Sequence, residues 1–460
     1  MQYANIERHK ALFSEYTELR VQENRSVAVG ILNGDIVRNA RNAQGGMSAR
    51  VFKNGLWGFA STPESDDEAI RQAIRLATDN ARFLGSKAGQ PTGALPARPG
   101  IGQNSLATTK PRLEQKAYID FLRDVDAYAA AKYPYLKART LMLSGLDMEK
   151  TVLTADGGDA WSLIARSLVY ASFTMEENGE PVDLYEVIGG PGQFEDIFDQ
   201  PSALYPKIDL LADRLRQKAK GVYAKPGEHE VVLDSDLAGI LAHEAIGHTV
   251  EADLVLGGSV AADYMNQAVA SPLVTMVDFA NTAYGKLCPV PLWIDDEGTA
   301  AKDAVLIKDG VLKSYMHNKE SARHFSADPT GNARAYGFYD EPLIRMRNTA
   351  ILPGSSKLAD MIASVDKGYY FLTSSNGQAD STSEFMFGVV MGYEINNGKL
   401  GAAVRDCTIS GIAFNMLKTV TMVSDDMSWT GAGMCGKKQS IPVGMGGPAI
   451  KCRINVGGRA

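Results

Sequence analysis

The chain has 460 residues, of which 45% are hydrophobic and 22% are charged, with a formal net charge of -7 and an isoelectric point near 5.5. This length allows two or three domains, because single hydrophobic cores rarely grow beyond roughly 250 to 300 residues. The acidic balance and the absence of basic runs argue against a nucleic-acid partner bound through its phosphates.

The first residues, MQYANIERHKALFSEY, carry scattered charges and no apolar core, so no secretory signal is expected. No stretch approaches 18 consecutive apolar residues, and no membrane partner is expected. The 4 cysteines are too few for a disulfide framework in a chain of this length. The sequence predicts a cytoplasmic protein with reduced thiols.

The first elements form a predicted antiparallel meander followed by a helix. Residues 16 to 61 alternate apolar and polar side chains between turn signals at Asn33-Gly34, Gly45-Gly46 and Asn54-Gly55. A capping box of Ser65 and Glu68 predicts the start of the helix, whose apolar periodicity continues up to Gly85.

The rest of the N-terminal half alternates between loops, helices and strands. Residues 87 to 111 are rich in Gly, Pro, Ser and Thr and are predicted to form a loop. A helix over 113 to 132, strands between 136 and 175, and a helix over 204 to 218 follow. This pattern predicts an N-terminal α+β domain, residues 1 to 225, with helices packed on an antiparallel sheet.

Pro226-Gly227 marks the predicted domain boundary. A strand over 229 to 233 leads to the N-cap signal Asp234-Ser235 and a helix that reaches His248. Strand-like runs then dominate: AVLIKDGVLKSYM, MGYEINNGKLGAAV and DCTISGIAFNMLKTVTMV, interrupted by one short helix over 357 to 365. We therefore expect an α+β chain whose C-terminal domain, residues 226 to 460, is antiparallel, β-rich and barrel-like, with one metal-binding helix.

That helix contains the run His243-Glu244-Ala245-Ile246-Gly247-His248. Zinc proteases of the H-E-x-x-H type place the two histidines four residues apart on one helix face, whereas a separation of five residues turns them about 140° apart. A π-bulge or an unwinding at Gly247 would restore both to one side, and we predict such an irregularity. The alternative is a pair of ordinary buried core histidines.

Two histidines do not complete a catalytic zinc site, which normally takes three protein ligands. The residues leave the third ligand open among the other histidines, Glu251, Asp253 and the cysteines. Cys407 lies in an apolar strand-like run and fits a core position. Cys435 lies in GAGMCGKKQSIPVGMGGP, where glycines permit close approach and Lys437 and Lys438 would favour the thiolate.

Several segments together resemble the TldD/PmbA family of metallopeptidases: HEAIGHTVEAD, DDEGT, GVLKSYMHNKESAR, PTGNAR, GQADSTSEFMFG and MCGKKQSIPVGMG. ELRVQENRSV and NGLWGFAST extend the resemblance over nearly the whole chain. The resemblance implies that His243, His248 and Cys435 bind Zn²⁺ or another divalent transition metal such as Fe²⁺. It also implies a TldD-like subunit that hydrolyses small or unfolded peptides, either as a homodimer or paired with a homologous PmbA-type subunit.

Within this interpretation Glu244 is the general base that takes a proton from the attacking water. His317, Arg334, Gln378 and Asp380 are candidates for holding the substrate. Residues 377 to 388 would bind an extended peptide by strand addition. Orientation of the histidines is expected from acidic residues, for which the candidates are Glu251, Asp253, Asp295, Asp296 and Glu297.

Two alternatives belong to other functional classes. The first is a non-catalytic or regulatory subunit of a TldD/PmbA-type complex with a structural metal. Glu244 argues against it, because a structural site needs no general base. The second is a non-hydrolytic enzyme with a redox-active iron, which cysteine ligation leaves open.

Overall fold

The computed structural model describes residues 6 to 88 and 93 to 458. Within these ranges the N-terminal half contains a seven-stranded sheet and four α-helices. The strands are β1 (Tyr16–Leu32), β2 (Asp35–Lys53), β3 (Leu56–Thr62), β4 (Ile101–Ser105), β5 (Ala138–Thr154), β6 (Asp159–Glu177) and β7 (Glu180–Pro191). The helices are α1 (Asp67–Ala88), α2 (Gln115–Lys132), α3 (Phe194–Ile197) and α4 (Tyr205–Ala219).

The strand order in this sheet is β3-β2-β1-β5-β6-β4, with β7 also pairing with β6. The predicted meander is confirmed as β1, β2 and β3. Asn33 and Gly34 join β1 to β2 with φ values of 50° and 91°. Left-handed conformations at both positions match the twist of the flanking strands, which explains why this dipeptide makes the turn.

Three details of the N-terminal prediction are wrong. Gly45 and Gly46 continue β2 instead of turning; a Cβ on Gly46 would lie 2.5 Å from the carbonyl oxygen of Thr62, so the glycine serves a close approach. The cap of α1 is Asp66 and not the predicted capping box at Ser65. The Asp66 carboxylate accepts hydrogen bonds from the backbone amides of Glu68 and Ala69. Residues 101 to 105 form β4, which pairs in parallel with β6.

The C-terminal half is built on a closed five-stranded barrel. Its order is β17-β8-β24-β20-β18, and β18 pairs back with β17. These strands are β8 (Gly227–Leu233), β17 (Lys367–Ala379), β18 (Glu384–Asn396), β20 (Cys407–Ile412) and β24 (Ile450–Gly457), with β19 (Lys399–Val404) and β21 (Met422–Val423) at the margin. The predicted α+β chain with a barrel-like C-terminal domain is confirmed.

A second, six-stranded sheet in this half has the order β13-β12-β9-β16-β23-β22. Its strands are β9 (Met276–Phe279), β12 (Ala304–Lys308), β13 (Val311–Leu312), β16 (Asn348–Ile351), β22 (Ser428–Cys435) and β23 (Ile441–Gly447). Two short hairpins pair β10 (Thr282–Ala283) with β11 (Lys286–Leu287) and β14 (Ala333–Arg334) with β15 (Leu343–Ile344). Not every pairing is antiparallel, since β17 runs parallel to β8 and β16 parallel to β23.

More helices occur in this half than the sequence predicted. They are α5 (Ser235–Ile240), α6 (Ala252–Leu256), α7 (Lys319–His324), α8 (Leu358–Ala363) and α9 (Ala413–Lys418). The predicted short helix at 357 to 365 is confirmed as α8, but the strand predicted over 413 to 418 is wrong. Ala413, Phe414, Met416 and Leu417 are buried there, and this spacing suits one face of a helix and not the alternation of a strand.

The two halves share buried structure. One hydrophobic cluster joins Leu122 of α2 and Leu211 of α4 to Val232, Met361 and Tyr370 of the C-terminal half. The boundary at residue 225 stays a prediction. No helix in the described ranges is long and apolar enough to cross a membrane.

Ion pairs across the halves explain the acidic run at 295 to 297, which was predicted to orient the histidines. The Lys150 ammonium lies 2.7 Å from the Asp296 carboxylate, and Arg50 lies 2.6 Å from Glu297. Both carboxylates are buried. This prediction is wrong for Asp296 and Glu297, whose charges are used to join the N-terminal sheet to the C-terminal half.

Candidate metal centre

The segment that carries both histidines changes its helical form at the motif. Residues 235 to 240 are α-helical, the turn Leu241–Gly247 is π-helical, and His248–Val250 is a 3₁₀ turn. The amide of His248 donates to the carbonyl of His243, five residues earlier. The predicted irregularity is confirmed, and it places the two imidazoles on one side with their ring centroids 5.3 Å apart.

Gly247 is required for this turn by packing. A Cβ at this position would lie 2.0 Å from Sδ of Met346 and 3.2 Å from the carbonyl oxygen of Ala242. A side chain would therefore collide with Met346, which lies between β15 and β16, and glycine lets the motif and this segment approach.

Cys435 completes a cluster with the two histidines. It is the last residue of β22, and one ligand atom from each of His243, His248 and Cys435 lies within 4.8 Å of the others. Sγ of Cys435 is 3.3 Å from Nε2 of His248. Among the alternatives left open by the sequence, the structure brings Cys435 to the histidines.

The donor set fits a transition-metal ion. The imidazole of His243 is fully buried, and neither of its nitrogens has a hydrogen-bond partner among the described residues. A buried polar group without a partner is costly, whereas a bound metal would satisfy it. Imidazole nitrogen and thiolate sulfur are both donors that zinc binds, and catalytic zinc sites take three protein ligands.

The charges of the cluster favour the thiolate form. Burial alone would raise the pKa of the Cys435 thiol, but the neighbouring His243 and His248 outweigh it and bring the pKa to about 4. The sequence predicted that Lys437 would favour the thiolate, and this is wrong. The Lys437 ammonium lies 2.7 Å from Asp253 and 3.2 Å from Glu251 and acts on those carboxylates. The thiolate is the form of cysteine that binds metals.

Glu251 orients His248. Its buried carboxylate lies 2.8 Å from Nδ1 of His248, which leaves Nε2 facing Cys435. Carboxylates commonly hold metal-binding imidazoles in this way. Of the acidic residues predicted to orient the histidines, Glu251 is the one that contacts a histidine of the motif.

Glu244 lies beside the cluster without belonging to it. Its Oε2 is 3.7 Å from Nε2 of His248, and its side chain is 22% exposed. A partly exposed carboxylate next to the ligand atoms can exchange a proton with a water molecule held there.

Arg345 supports the cysteine and was missed in the sequence. Its fully buried guanidinium donates to the carbonyl oxygens of Cys435, at 2.6 Å, and Gln439, at 2.8 Å. The available signal was the apolar run LIRMRNTAI, because two arginines within a buried segment must find partners inside the protein. The second, Arg347, pairs with Asp278 at 2.8 Å.

The predicted substrate-binding residues lie in different surroundings. His317 is buried, which lowers its pKa to about 4, and its Nδ1 lies 3.1 Å from Oγ of Ser321. Buried Arg334 donates to the carbonyl oxygens of Met346 and Pro442. Gln378 and Asp380 are exposed on the hairpin between β17 and β18, where Asp380 accepts bonds from its own turn. Their part in binding substrate stays a prediction.

The predicted peptide edge at 377 to 388 is available only in part. Residues 385 to 387 of β18 pair with β17 on one side and with β20 on the other, so they offer no free edge, contrary to the prediction. Residues 377 to 379 of β17 pair with β18, and their other edge has no strand partner in the described part of the chain.

Replacing Glu251 with glutamine should weaken metal binding by roughly 10- to 100-fold, because the amide keeps the shape but loses the charge that holds the His248 imidazole. Competition with a chromophoric chelator measures the affinity. Asp253→Asn is the matched control, since Asp253 pairs with Lys437 and, within the described part of the chain, forms no hydrogen bond with His243, His248 or Cys435. Equal affinities in the two variants would contradict this role of Glu251.

Comparisons with known proteins find similar metallopeptidase domains and relatives over most of the chain. The family described as "PmbA/TldA metallopeptidase C-terminal domain" matches residues 226 to 458, and "PmbA/TldA metallopeptidase domain 1" matches residues 17 to 81. A metalloprotease of Methanocaldococcus jannaschii is 30% identical over 97% of this chain and 98% of its own. A protein of Saccharolobus solfataricus named zinc metalloprotease TldD homolog is 28% identical over 90% of each chain.

Two solved structures share the fold. TldE from Thermococcus kodakarensis has a TM-score of 0.76 at 16% identity, covering 98% of this chain and 99% of its own. A putative modulator of a DNA gyrase from Thermotoga maritima has a TM-score of 0.77 at 20% identity, covering 98% of each chain. At these identities the likeness concerns the fold alone.

Proposed function

The chain belongs to the TldD/PmbA metallopeptidase family, and from that premise we propose that it is a metal-dependent peptidase acting on small or unfolded peptides. The observation that carries the proposal is the position of Glu244, partly exposed and 3.7 Å from a nitrogen of the His243, His248 and Cys435 cluster. We propose Zn²⁺ as the metal; the ligand set also suits another divalent transition metal such as Fe²⁺.

A metal held by these three side chains would act as a Lewis acid that lowers the pKa of a water molecule toward neutrality. The Glu244 carboxylate accepts a proton from this water as the water oxygen bonds to the peptide carbonyl carbon. The same carboxyl group then delivers the proton to the amine nitrogen as the carbon–nitrogen bond breaks. Glu251 keeps the His248 imidazole oriented throughout.

Three protein ligands favour this proposal over a regulatory subunit with a structural metal. Structural zinc sites are closed by four protein ligands, whereas catalytic sites keep one position open. The described residues place three ligand groups together, and His248 keeps 19% of its side chain exposed. An open position beside a carboxylate is what hydrolysis requires and what a structural site lacks.

Removal of the metal tests the proposal. Dialysis against a chelator should abolish cleavage of an unfolded peptide mixture, and one equivalent of Zn²⁺ per chain should restore it. Cleavage is followed by mass spectrometry, with and without an added PmbA-type chain, because an incomplete assembly could be inactive. Unchanged cleavage by fully metal-free protein would contradict the proposal.

We further propose that the working form is a dimer, either of two copies of this chain or of this chain with a homologous PmbA-type subunit. Support comes from the family to which the chain belongs, because the resemblance to this family implies that its subunits pair. Sedimentation equilibrium of the chain alone and of an equimolar mixture distinguishes the two forms. A monomer in both samples would contradict the proposal.

A further inference from the structure

Two buried carboxylates share one guanidinium where the two halves of the chain meet. Nη1 of Arg50 on β2 lies 2.6 Å from Oε1 of Glu297 and 3.4 Å from Oε2 of Glu18 on β1. The exposed fractions of Arg50, Glu18 and Glu297 are 5%, 3% and 0%. We call these three residues the clamp, because they join the N-terminal sheet to the loop at 295 to 297.

The neighbouring cations are engaged elsewhere. Lys319 of α7 is fully buried, and its ammonium lies 2.7 Å from the carboxylate of Asp156, which follows β5. Arg20 of β1 donates to backbone carbonyl oxygens and lies 3.7 Å from Asp296. Within the described residues, Arg50 is the one cation that bonds the two clamp carboxylates.

Further negative charge faces the clamp. Asp295 is buried and interacts electrostatically with Glu297, and its oxygens accept three backbone amides. Glu341, which is 42% exposed, lies 3.1 Å from Nε of Arg50. Three buried carboxylates therefore surround one bonded guanidinium. A buried charge without a partner is costly, and a bound proton removes that cost.

Glu18 is the carboxyl group suited to keep this proton. Glu297 has two short bonds, from Arg50 at 2.6 Å and from the backbone amide of Lys319 at 2.8 Å. Glu18 has the longer contact with Arg50, at 3.4 Å, and accepts from the Tyr16 hydroxyl at 3.1 Å. Burial and the neighbouring Glu297 raise the pKa of Glu18 to about 7, although Arg50 and Lys319 act in the opposite direction.

The loop of the clamp also supports the strands beside the metal centre. Asp295 accepts a hydrogen bond from the backbone amide of Ala333 at 3.0 Å. The next residue, Arg334, donates to the carbonyl oxygen of Pro442 on β23. β23 pairs with β22, which ends at Cys435. The segment that holds this strand pair therefore rests on the clamp loop.

We propose that the contact between the two halves depends on a proton that Glu18 holds beside Glu297, and that release of this proton in alkaline solution weakens the clamp. The neutral carboxyl group leaves Arg50 to the Glu297 carboxylate. When Glu18 ionises, two buried carboxylates compete for one guanidinium. The proposal does not depend on the peptidase function.

Equilibrium unfolding of the full chain over a range of pH tests the proposal. The pKa of Glu18 is higher in the folded chain than the ordinary value of 4.5, so its stabilising effect is complete below that value and is lost as the pH rises through about 7. Between these values one retained proton raises the unfolding constant about tenfold per pH unit.

Glu18→Gln keeps the shape of the protonated side chain and should lack this component of the pH dependence. Glu341→Gln is the matched control and should keep it, because Glu341 contacts the same guanidinium but is partly exposed. Hydrogen exchange reports the clamp loop directly. At about pH 8.5, where Glu18 is ionised, the backbone amides of residues 295 to 299 should exchange faster in the wild type than in Glu18→Gln.

Infrared spectroscopy of the wild type gives a readout that needs no variant. A carbonyl band of a buried carboxylic acid should be present at about pH 6 and should disappear with a midpoint near pH 7. This titration decides the proposal if Glu18→Gln fails to fold. The absence of such a band would overturn the proposal. So would the same pH dependence of unfolding in wild type and Glu18→Gln, or equal exchange of residues 295 to 299 in both proteins at about pH 8.5.

Discussion

Replacing Glu244 with glutamine is expected to lower kcat/KM for peptide hydrolysis by about 10² to 10⁴, while the metal stays bound. The loss follows from chemistry at one atom: the amide cannot accept the proton that the attacking water must lose. The metal stays because Glu244 stands 3.7 Å from Nε2 of His248 and is not one of the three clustered ligands.

The measurement pairs steady-state cleavage of a short fluorogenic peptide with metal analysis of the same samples. Glu68→Gln is the control, since Glu68 is an exposed residue of α1 whose side chain is 83% exposed. A Glu244→Gln protein that keeps its metal and its full activity would show that another group is the base. Loss of metal in this variant would instead place Glu244 among the ligands.

Replacing Cys435 with alanine should remove both metal and activity. The thiolate is one of the three proposed ligands, and the effect should exceed the 10- to 100-fold loss of affinity that follows from changing a hydrogen-bond partner of a ligand. Two imidazoles would remain, and His243 would again be buried without a partner.

Cys407→Ala is the matched control. Cys407 is also buried, and burial raises the pKa of its thiol to about 12; it lies outside the cluster of His243, His248 and Cys435. Its loss should lower stability slightly and leave the metal content unchanged. Metal analysis after gel filtration compares the two variants, and a stoichiometric metal in Cys435→Ala would contradict the ligand assignment.

The sequence could predict features that depend on local geometry. The five-residue spacing of His243 and His248 required an irregular turn, because a regular helix would direct the imidazoles about 140° apart. The structure supplies this turn as a π-helical segment ending at Gly247. The dipeptides Asn33-Gly34 and Asn54-Gly55 likewise located hairpins, since few residues adopt the left-handed conformation that such turns need.

Features that depend on distant contacts could not be read from the chain. Asp296 and Glu297 form an acidic run that suits a site near histidines, yet their partners, Lys150 and Arg50, lie on strands of the N-terminal sheet. Short segments failed for a different reason. β4 has five residues with one large apolar side chain, so its periodicity carries little information.

Cys435 illustrates the limit between the two cases. Its glycine-rich surroundings and the resemblance to the family pointed to a ligand, but the support of its backbone by Arg345, 90 residues earlier, appears only in the folded chain. The thiolate is favoured by the two histidines and not by the adjacent lysines. The candidate ligand was therefore predictable, whereas the means of its activation was not.

X-ray absorption spectroscopy of the purified, metal-loaded chain tests the central claim most directly, because it reports which atoms surround the metal. With zinc bound, the spectrum should require one sulfur at about 2.3 Å and two imidazole nitrogens at about 2.0 to 2.1 Å. The sulfur contribution should disappear in Cys435→Ala and persist in Cys407→Ala. A wild-type spectrum that needs only oxygen and nitrogen neighbours would contradict a centre built from His243, His248 and Cys435.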